Sequence, residues 1–190
     1  MINEIMAAQN LNSFLDIVDK ANYRGTLHAY GAYTLFAPTN EAVNSYLQSL
    51  GKSSVADLTE EEAVKIIKYH LVANDTIATS DFVDGRLRAR NFMKRYLTTK
   101  TQTDGSIVVN RKATILTKAL AGANELKGAN GFLHIIDAVL TPPDKSITGF
   151  IRSLPECGLF YSEIVFREIG SGRLVEYRIR QHLVYFLCSG

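Results

Sequence analysis

The chain has 190 residues, 46% of them hydrophobic, 21% charged, and a formal net charge of +2. That hydrophobic share supports a packed core and excludes global disorder. The length suits one full domain plus an extra segment, and the near-neutral balance argues against nucleic acid as the main partner. No segment has the length of a membrane span. Met1 to Glu4 shows neither the cationic start nor the apolar run of a secretory leader, so an exported protein would carry its leader outside this chain.

Leu11, Phe14, Leu15 and Val18 recur at helical spacing and predict a helix over residues 11–21, with Asn10 as its N-cap. Gly25 stops it, and a short turn over residues 26–30 leads to Gly31. Residues 33–37 read as a strand that Pro38 breaks. Thr39 caps the next helix with its hydroxyl, and Glu41 sits in the first turn, where the helix dipole favours an anion. Ala42, Val43, Tyr46, Leu47 and Leu50 form its apolar face, and Gly51 suits its end. The strongest helix signal follows: Thr59 and Glu62 make a capping box, and Ala63, Ile66, Ile67, His70 and Leu71 lie on one stripe. This helix is expected to finish near Ala73. His70 then faces the core, while Tyr69 falls off the stripe, towards the surface.

Residues 76–82 look extended, and Asp84-Gly85 turns. Arg86, Arg88, Arg90, Lys94 and Arg95 form a local basic cluster. It reads as a solvated loop or edge strand guarded by charge, or as a site for acidic glycans or lipid head groups. A charge cluster without regular aromatic interleaving is weak evidence for the second reading. From residue 94 the pattern turns to strands: 95–101, a hairpin turn at Asp104-Gly105, a return over 106–110, and a candidate at 114–120. Residues 121–129 connect to a turn at Asn130-Gly131. Residues 132–140 are then apolar at nearly every position, a strand buried on both faces, and Pro142-Pro143 ends it. Helices first and then mostly antiparallel strands predict an α+β domain.

Residues 144–190 differ. Asp144 or Ser146 can cap a helix bearing Ile147, Phe150, Ile151 and Leu154. A second helix is expected over 159–169, and Val175, Tyr177 and Ile179 alternate as in a strand. The apolar run over residues 183–188 needs cover. Cys157 and Cys188 both lie here, without C-x-x-C spacing. They read as small apolar residues, or as a pair if this segment folds back.

No arrangement of residues announces catalysis. There is no G-x-S-x-G, P-loop or G-x-G-x-x-G, and His28, His70, His134 and His182 show no metal-ligand spacing. No catalytic residue, metal or cofactor is expected. His134 could serve as a general base with Asp137 as its orienter. A three-residue offset on a strand, however, points the two side chains to opposite faces. His134 therefore reads as a buried neutral histidine that fixes register, and Asp137 as an acceptor for backbone N–H groups or for hydroxyls near Thr39. Asn74-Asp75-Thr76 is a glycosylation sequon of low specificity.

The segment Tyr33-Thr34-Leu35-Phe36-Ala37-Pro38-Thr39 and the run from Asn130 to Pro143 together resemble the paired signature motifs of the fasciclin-like (FAS1) adhesion domain. Tyr69-His70 matches the family's Tyr-His motif between them. Glu125-Leu126 stands where the family has an Asp-Ile pair. The resemblance covers about residues 5–143. It implies a FAS1-like α+β fold, with N-terminal helices packed against a mostly antiparallel β-sandwich or wedge over residues 1–143. Residues 144–190 would be a partial or degenerate second copy, since no Phe-Ala-Pro-Thr follows their strand.

The resemblance also implies a non-catalytic adhesion or binding module, extracellular, cell-surface or periplasmic, whose partner is a protein or glycan. The family's Tyr-His region is linked to integrin-mediated adhesion. Tyr69 and His70 thus join Arg86, Arg88 and Arg90 as candidate partner contacts. Phe36, Pro38, Thr39, His134, Asp137 and Pro142 belong to the structural motifs. An alternative is a carbohydrate- or polyanion-binding accessory domain using the cluster from Arg86 to Arg95. A weak enzyme with His70 or His134 as base is a third reading.

Overall fold

A computed structural model describes residues 2–29, 31–116 and 126–142. The expectations for residues 144–190, Cys157 and Cys188 among them, and for Glu125 lie outside the described residues. Short helices α1 (Ile2–Ala8), α2 (Asn12–Lys20) and α3 (Arg24–His28) precede strand β1 (Tyr33–Pro38). Helices α4 (Asn40–Ser49) and α5 (Glu60–His70) follow, then strand β2 (Leu71–Ala73). Next come β3 (Gly85–Arg90), β4 (Tyr96–Thr101), β5 (Ile107–Val109) and β6 (Ala113–Thr114). The short strand β7 (Lys127–Gly128) and β8 (Gly131–Ile136) end the described chain's regular structure.

These strands form two sheets, ordered β2-β1-β8-β7 and β3-β4-β5-β6. Alternation along β1 and β8 builds the layers. Leu35, Ala37, Leu133 and Ile135 pack with Phe14, Ile17, Val18, Val43 and Ile67 of the helices. Phe36 and Ile136 point the other way and pack with Leu87, Leu97, Ile107 and Val109 of the second sheet. The first sheet is thus covered on both faces, which explains why its central strands are apolar at successive positions. The layering is that of an α+β domain, with helices on one face of the first sheet and the second sheet on the other.

At its centre β1 and β8 run parallel, with Phe36 opposite His134 and Pro38 opposite Ile136. β2 and β7 add antiparallel strands outside them. Parallel strands need a long crossover, and here the crossover contains α4, α5 and the whole second sheet. Gly131 starts the pairing: at φ +152 a side chain there would be strained, and a Cβ would lie 2.0 Å from the Tyr33 carbonyl oxygen.

Several local expectations change. Asn10 does not cap α2; it takes φ +56, and the residue at the cap is Leu11. The cap comes instead from across the fold, where Asn40 Oδ1 accepts from Ser13 N at 3.0 Å and Asn40 Nδ2 donates to Asn10 O at 2.8 Å. The turn expected at 26–30 is largely the helix α3. Helix α5 stops at His70, not near Ala73, because Leu71–Ala73 leave it to pair with β1. Residues 76–82 include a 3₁₀ turn, Thr79–Asp81. Strand structure begins at Gly85, so the basic cluster starts on a strand. Leu50, expected on the buried face of α4, is 44% exposed. The caps at Thr39 and Thr59 are present as expected, the second as a full capping box.

Candidate binding face

Strand β3 alternates cleanly. Leu87 is buried and Ala89 half-buried against the second core, while Arg86, Arg88 and Arg90 are exposed on the opposite face. On β4, Leu97 and Thr99 point inward, and Tyr96, Thr98 and Lys100 face out beside the arginines. The ladder between the two strands slips. Arg86 lies opposite Thr98 and Arg90 opposite Tyr96, so β3 advances four residues where β4 retreats two. Such a bulge re-aims side chains.

Here it converges two guanidinium groups on one ring. Arg86 Cζ lies 4.0 Å from the centroid of Tyr96, and Arg90 Cζ lies 4.9 Å from it. A hydrogen bond from Arg90, with the positive charge of Arg90 and then of Arg86, pulls the Tyr96 phenol below its ordinary pKa. Tyr96 directly follows the cluster in sequence, but its contact with Arg86 and Arg90 arises only from the pairing of β4 with β3.

Arg88 has a different engagement. Its guanidinium grips Asp75 bidentately, Nε to Oδ2 at 2.6 Å and Nη2 to Oδ1 at 2.7 Å. The Asp75 carbonyl in turn accepts from Thr34 Oγ1 at 2.9 Å, so Arg88 fastens the loop after β2 to the sheet. Asn74 and Thr76 of the sequon are both exposed on that loop. Arg86 and Arg90 have no carboxylate partner among the described residues.

Tyr69 and His70 lie inside. Tyr69, expected near the surface, is 3% exposed. The helix ends one residue later and the chain bends into β2, so Tyr69 packs in the second core with Phe36 and Leu97. Its hydroxyl accepts from Asn110 Nδ2 at 3.2 Å, its carbonyl accepts from Asn91 Nδ2 at 3.0 Å, and burial raises the phenol pKa. His70 is fully buried beside the Phe14 ring. Its Nδ1 lies 2.7 Å from Ile66 O, and its Nε2 accepts from Leu140 N at 2.9 Å. Donation from Nδ1 and acceptance at Nε2 define a neutral ring. Desolvation pushes its pKa down to about 4. Neither residue offers a side-chain surface to a partner.

His134 and Asp137 do not meet. His134 is buried among Phe36, Phe82 and Phe132, with Nε2 2.8 Å from Ile77 O. Asp137 is exposed, and its Oδ1 accepts from Thr114 N at 2.6 Å, clipping β6 to the end of β8. Of the two acceptor roles anticipated for Asp137, the backbone one is present. Near Thr39 the contact is instead between Thr39 N and Ile136 O, at 3.0 Å. Pro38 is buried at the end of β1, and Pro142 is half-buried at the end of the described residues.

Open grooves also mark the surface of the described residues. One, of about 410 Å³, lies where β2 meets β3, between Asn74, Arg90, Phe92 and Lys94. Another, of about 510 Å³, lies between α2 and α4 and is lined by Ser13, Asp16, Lys20 and Asn44. Among the described residues no group of His, Cys, Asp and Glu could hold a metal ion, and no helix is long and apolar enough to cross a membrane.

These features define an α+β module with exposed arginines on the outer face of its second sheet. The sequence model of the fasciclin domain matches residues 9–142, and the chain belongs to the fasciclin domain family. It is 29% identical over 135 residues to protein sll1483 of Synechocystis sp., covering 71% of this chain and 69% of that one. It is 28% identical over 143 residues to transforming growth factor-beta-induced protein ig-h3 of Sus scrofa, and 25% identical over 151 residues to human periostin. Those alignments cover 75% and 80% of this chain but only 19% and 17% of the longer relatives. A solved FAS1 domain pair from the insect cell adhesion molecule fasciclin I shares the fold, with a TM-score of 0.50 and 19% identity over 84% of this chain and 54% of that one.

Proposed function

We propose that this chain is a non-catalytic adhesion module that acts at a cell surface, in a matrix or in a periplasm. It sticks to a protein or glycan there through the outer face of β3 and β4. Membership of the fasciclin family supports the reading, as does the fold shared with a protein described as a cell adhesion molecule. The observation that carries it is the disposition of the polar groups. The strongest candidate bases, His70 and His134, are buried and engaged by backbone groups, whereas the arginines of β3 stand exposed. Residues 1–143 form the adhesive domain in this proposal, with residues 144–190 as a partial or degenerate second copy.

A surface coated with the full chain tests this. Cells or decellularised matrix particles should attach to it, and soluble chain added in excess should compete. Attachment no greater than to an albumin-coated surface would overturn the proposal.

A further inference from the structure

We infer that Arg86, Tyr96 and Arg90, with Lys100 beside them, form a binding site for an acidic polysaccharide, a chain carrying sulfate or carboxylate groups. The inference rests on the adhesive reading above and names the chemistry of its partner.

The first argument is preorganisation. An exposed arginine normally loses much rotamer freedom when it grips an anion. Arg86 and Arg90 already rest against one ring, at 4.0 and 4.9 Å from its centroid. Arg90 spends one donor on the Tyr96 hydroxyl, and the remaining N–H groups of both guanidiniums are left to grip an oxyanion. The bulge between the two arginines is what brings both to the same tyrosine.

The second argument is availability and spacing. Arg88, between them in sequence, has its donor fork occupied by Asp75. Arg86, Arg90 and Lys100 have no carboxylate partner among the described residues. On a sheet, outward residues repeat at roughly 7 Å along a strand and about 5 Å between strands. Arg86 and Arg90 converge on Tyr96, and Lys100 stands four residues further along β4, about 13 Å away by strand geometry. Two separated cationic points suit oxyanions repeated along a polymer better than one small phosphate.

The third argument separates polymers. Of the large apolar residues described, Leu50 and Val83 are the exposed ones, which is too little to insert into a membrane. A protein partner would want a desolvated apolar or aromatic anchor, and the ring this face offers, Tyr96, carries two guanidinium groups in place of an open apolar surface. A nucleic acid strand would want a free ring for base stacking, and Arg86 covers the ring of Tyr96.

The test measures binding of the full chain to fluorescent dextran sulfate and to polygalacturonate. Neutral dextran, polyglutamate, single-stranded DNA and phosphatidylserine vesicles serve as comparators. The site predicts binding to the acidic polysaccharides, tighter than to any comparator, that weakens steeply with salt. R86Q/R90Q should weaken it roughly tenfold or more and make the log–log salt slope shallower by about 1.5. The charge-matched K65Q/K68Q, on helix α5, should leave it within about twofold. Tyr96→Ala removes no charge, yet it should weaken binding several-fold at an unchanged slope, because it frees both guanidinium groups. Circular dichroism checks that each variant folds.

Equal losses for R86Q/R90Q and K65Q/K68Q, or full affinity in Tyr96→Ala, would overturn the site. So would tighter binding to polyglutamate, DNA or vesicles. Failure of polysaccharide binding alongside intact attachment of cells would remove this inference and leave the adhesive reading standing. Loss of attachment altogether would remove both.

Discussion

Burial of His70 makes a sharp prediction about acid stability. The ring is fully buried, its Nε2 takes the Leu140 N–H, and the Lys112 ammonium adds a small repulsion to any charge placed there. Protonation would turn the acceptor at Nε2 into a donor facing a donor. The pKa drops from 6.5 to about 4 on folding. The unfolded chain therefore holds the proton more tightly. The contribution of neutral His70 is complete above about pH 6.5 and is lost as the pH falls towards 4. Linkage puts the loss between pH 7.5 and 5.0 at about 2 kcal/mol, and the limiting loss below pH 4 at about 3 kcal/mol.

Glu62 and Asp57, held below their ordinary pKa by Lys52 and by Ser54 N–H respectively, titrate below this window. The buried His134 is common to the parent and a His70 variant, so the difference between the two proteins isolates His70. Urea unfolding at 25 °C, followed by far-UV circular dichroism, measures it. His70→Gln should be less stable at pH 7.5 by about 1–3 kcal/mol, since the buried bonds are disturbed. Between pH 7.5 and 5.0 it should then lose about 2 kcal/mol less than the parent does. A His70→Gln protein whose loss over that window equalled the parent's would refute the reasoning.

Three further outcomes are expected. Asp137→Ala should lower the melting temperature by a few degrees, through loss of the acceptor for Thr114 N (about 1 kcal/mol), and an unchanged melting temperature would contradict that role. Gly131→Ala should be far more damaging, because the added Cβ meets the Tyr33 carbonyl at a positive φ; a melting temperature within a degree of the parent would show that the strand entry relaxes freely. Limited proteolysis near Lys145 should leave a stable fragment of about residues 1–143, and concerted degradation of the whole chain would contradict an autonomous first domain.

The sequence announced the elements whose signals are local. Thr59 and Glu62 satisfy each other within one helical turn. Thr39 caps its own helix. The double-faced apolarity of β1 and β8 reports a sheet covered on both sides, and family resemblance made them neighbours. What stayed hidden depends on partners distant in sequence. Asn40 caps α2 across 27 residues, so the local candidate Asn10 misled. Tyr69 seemed exposed because helical periodicity describes a lone helix, not one whose end is roofed by a second sheet. The parallel pairing of β1 with β8 is set by a crossover containing a whole sheet, beyond any windowed pattern. The arginine cluster looked like bare charge because Tyr96 reaches it through a bulged ladder.

The central claim is that adhesion resides on the outside of β3 and β4, while the Tyr69–His70 motif works by packing. Attachment of cells to surfaces coated with R86Q/R90Q, with the melting temperature read on the same preparation, tests it most directly. The account predicts attachment reduced to a small fraction of the parent's, at a melting temperature within about one degree of it. Full attachment by this folded variant would contradict the account.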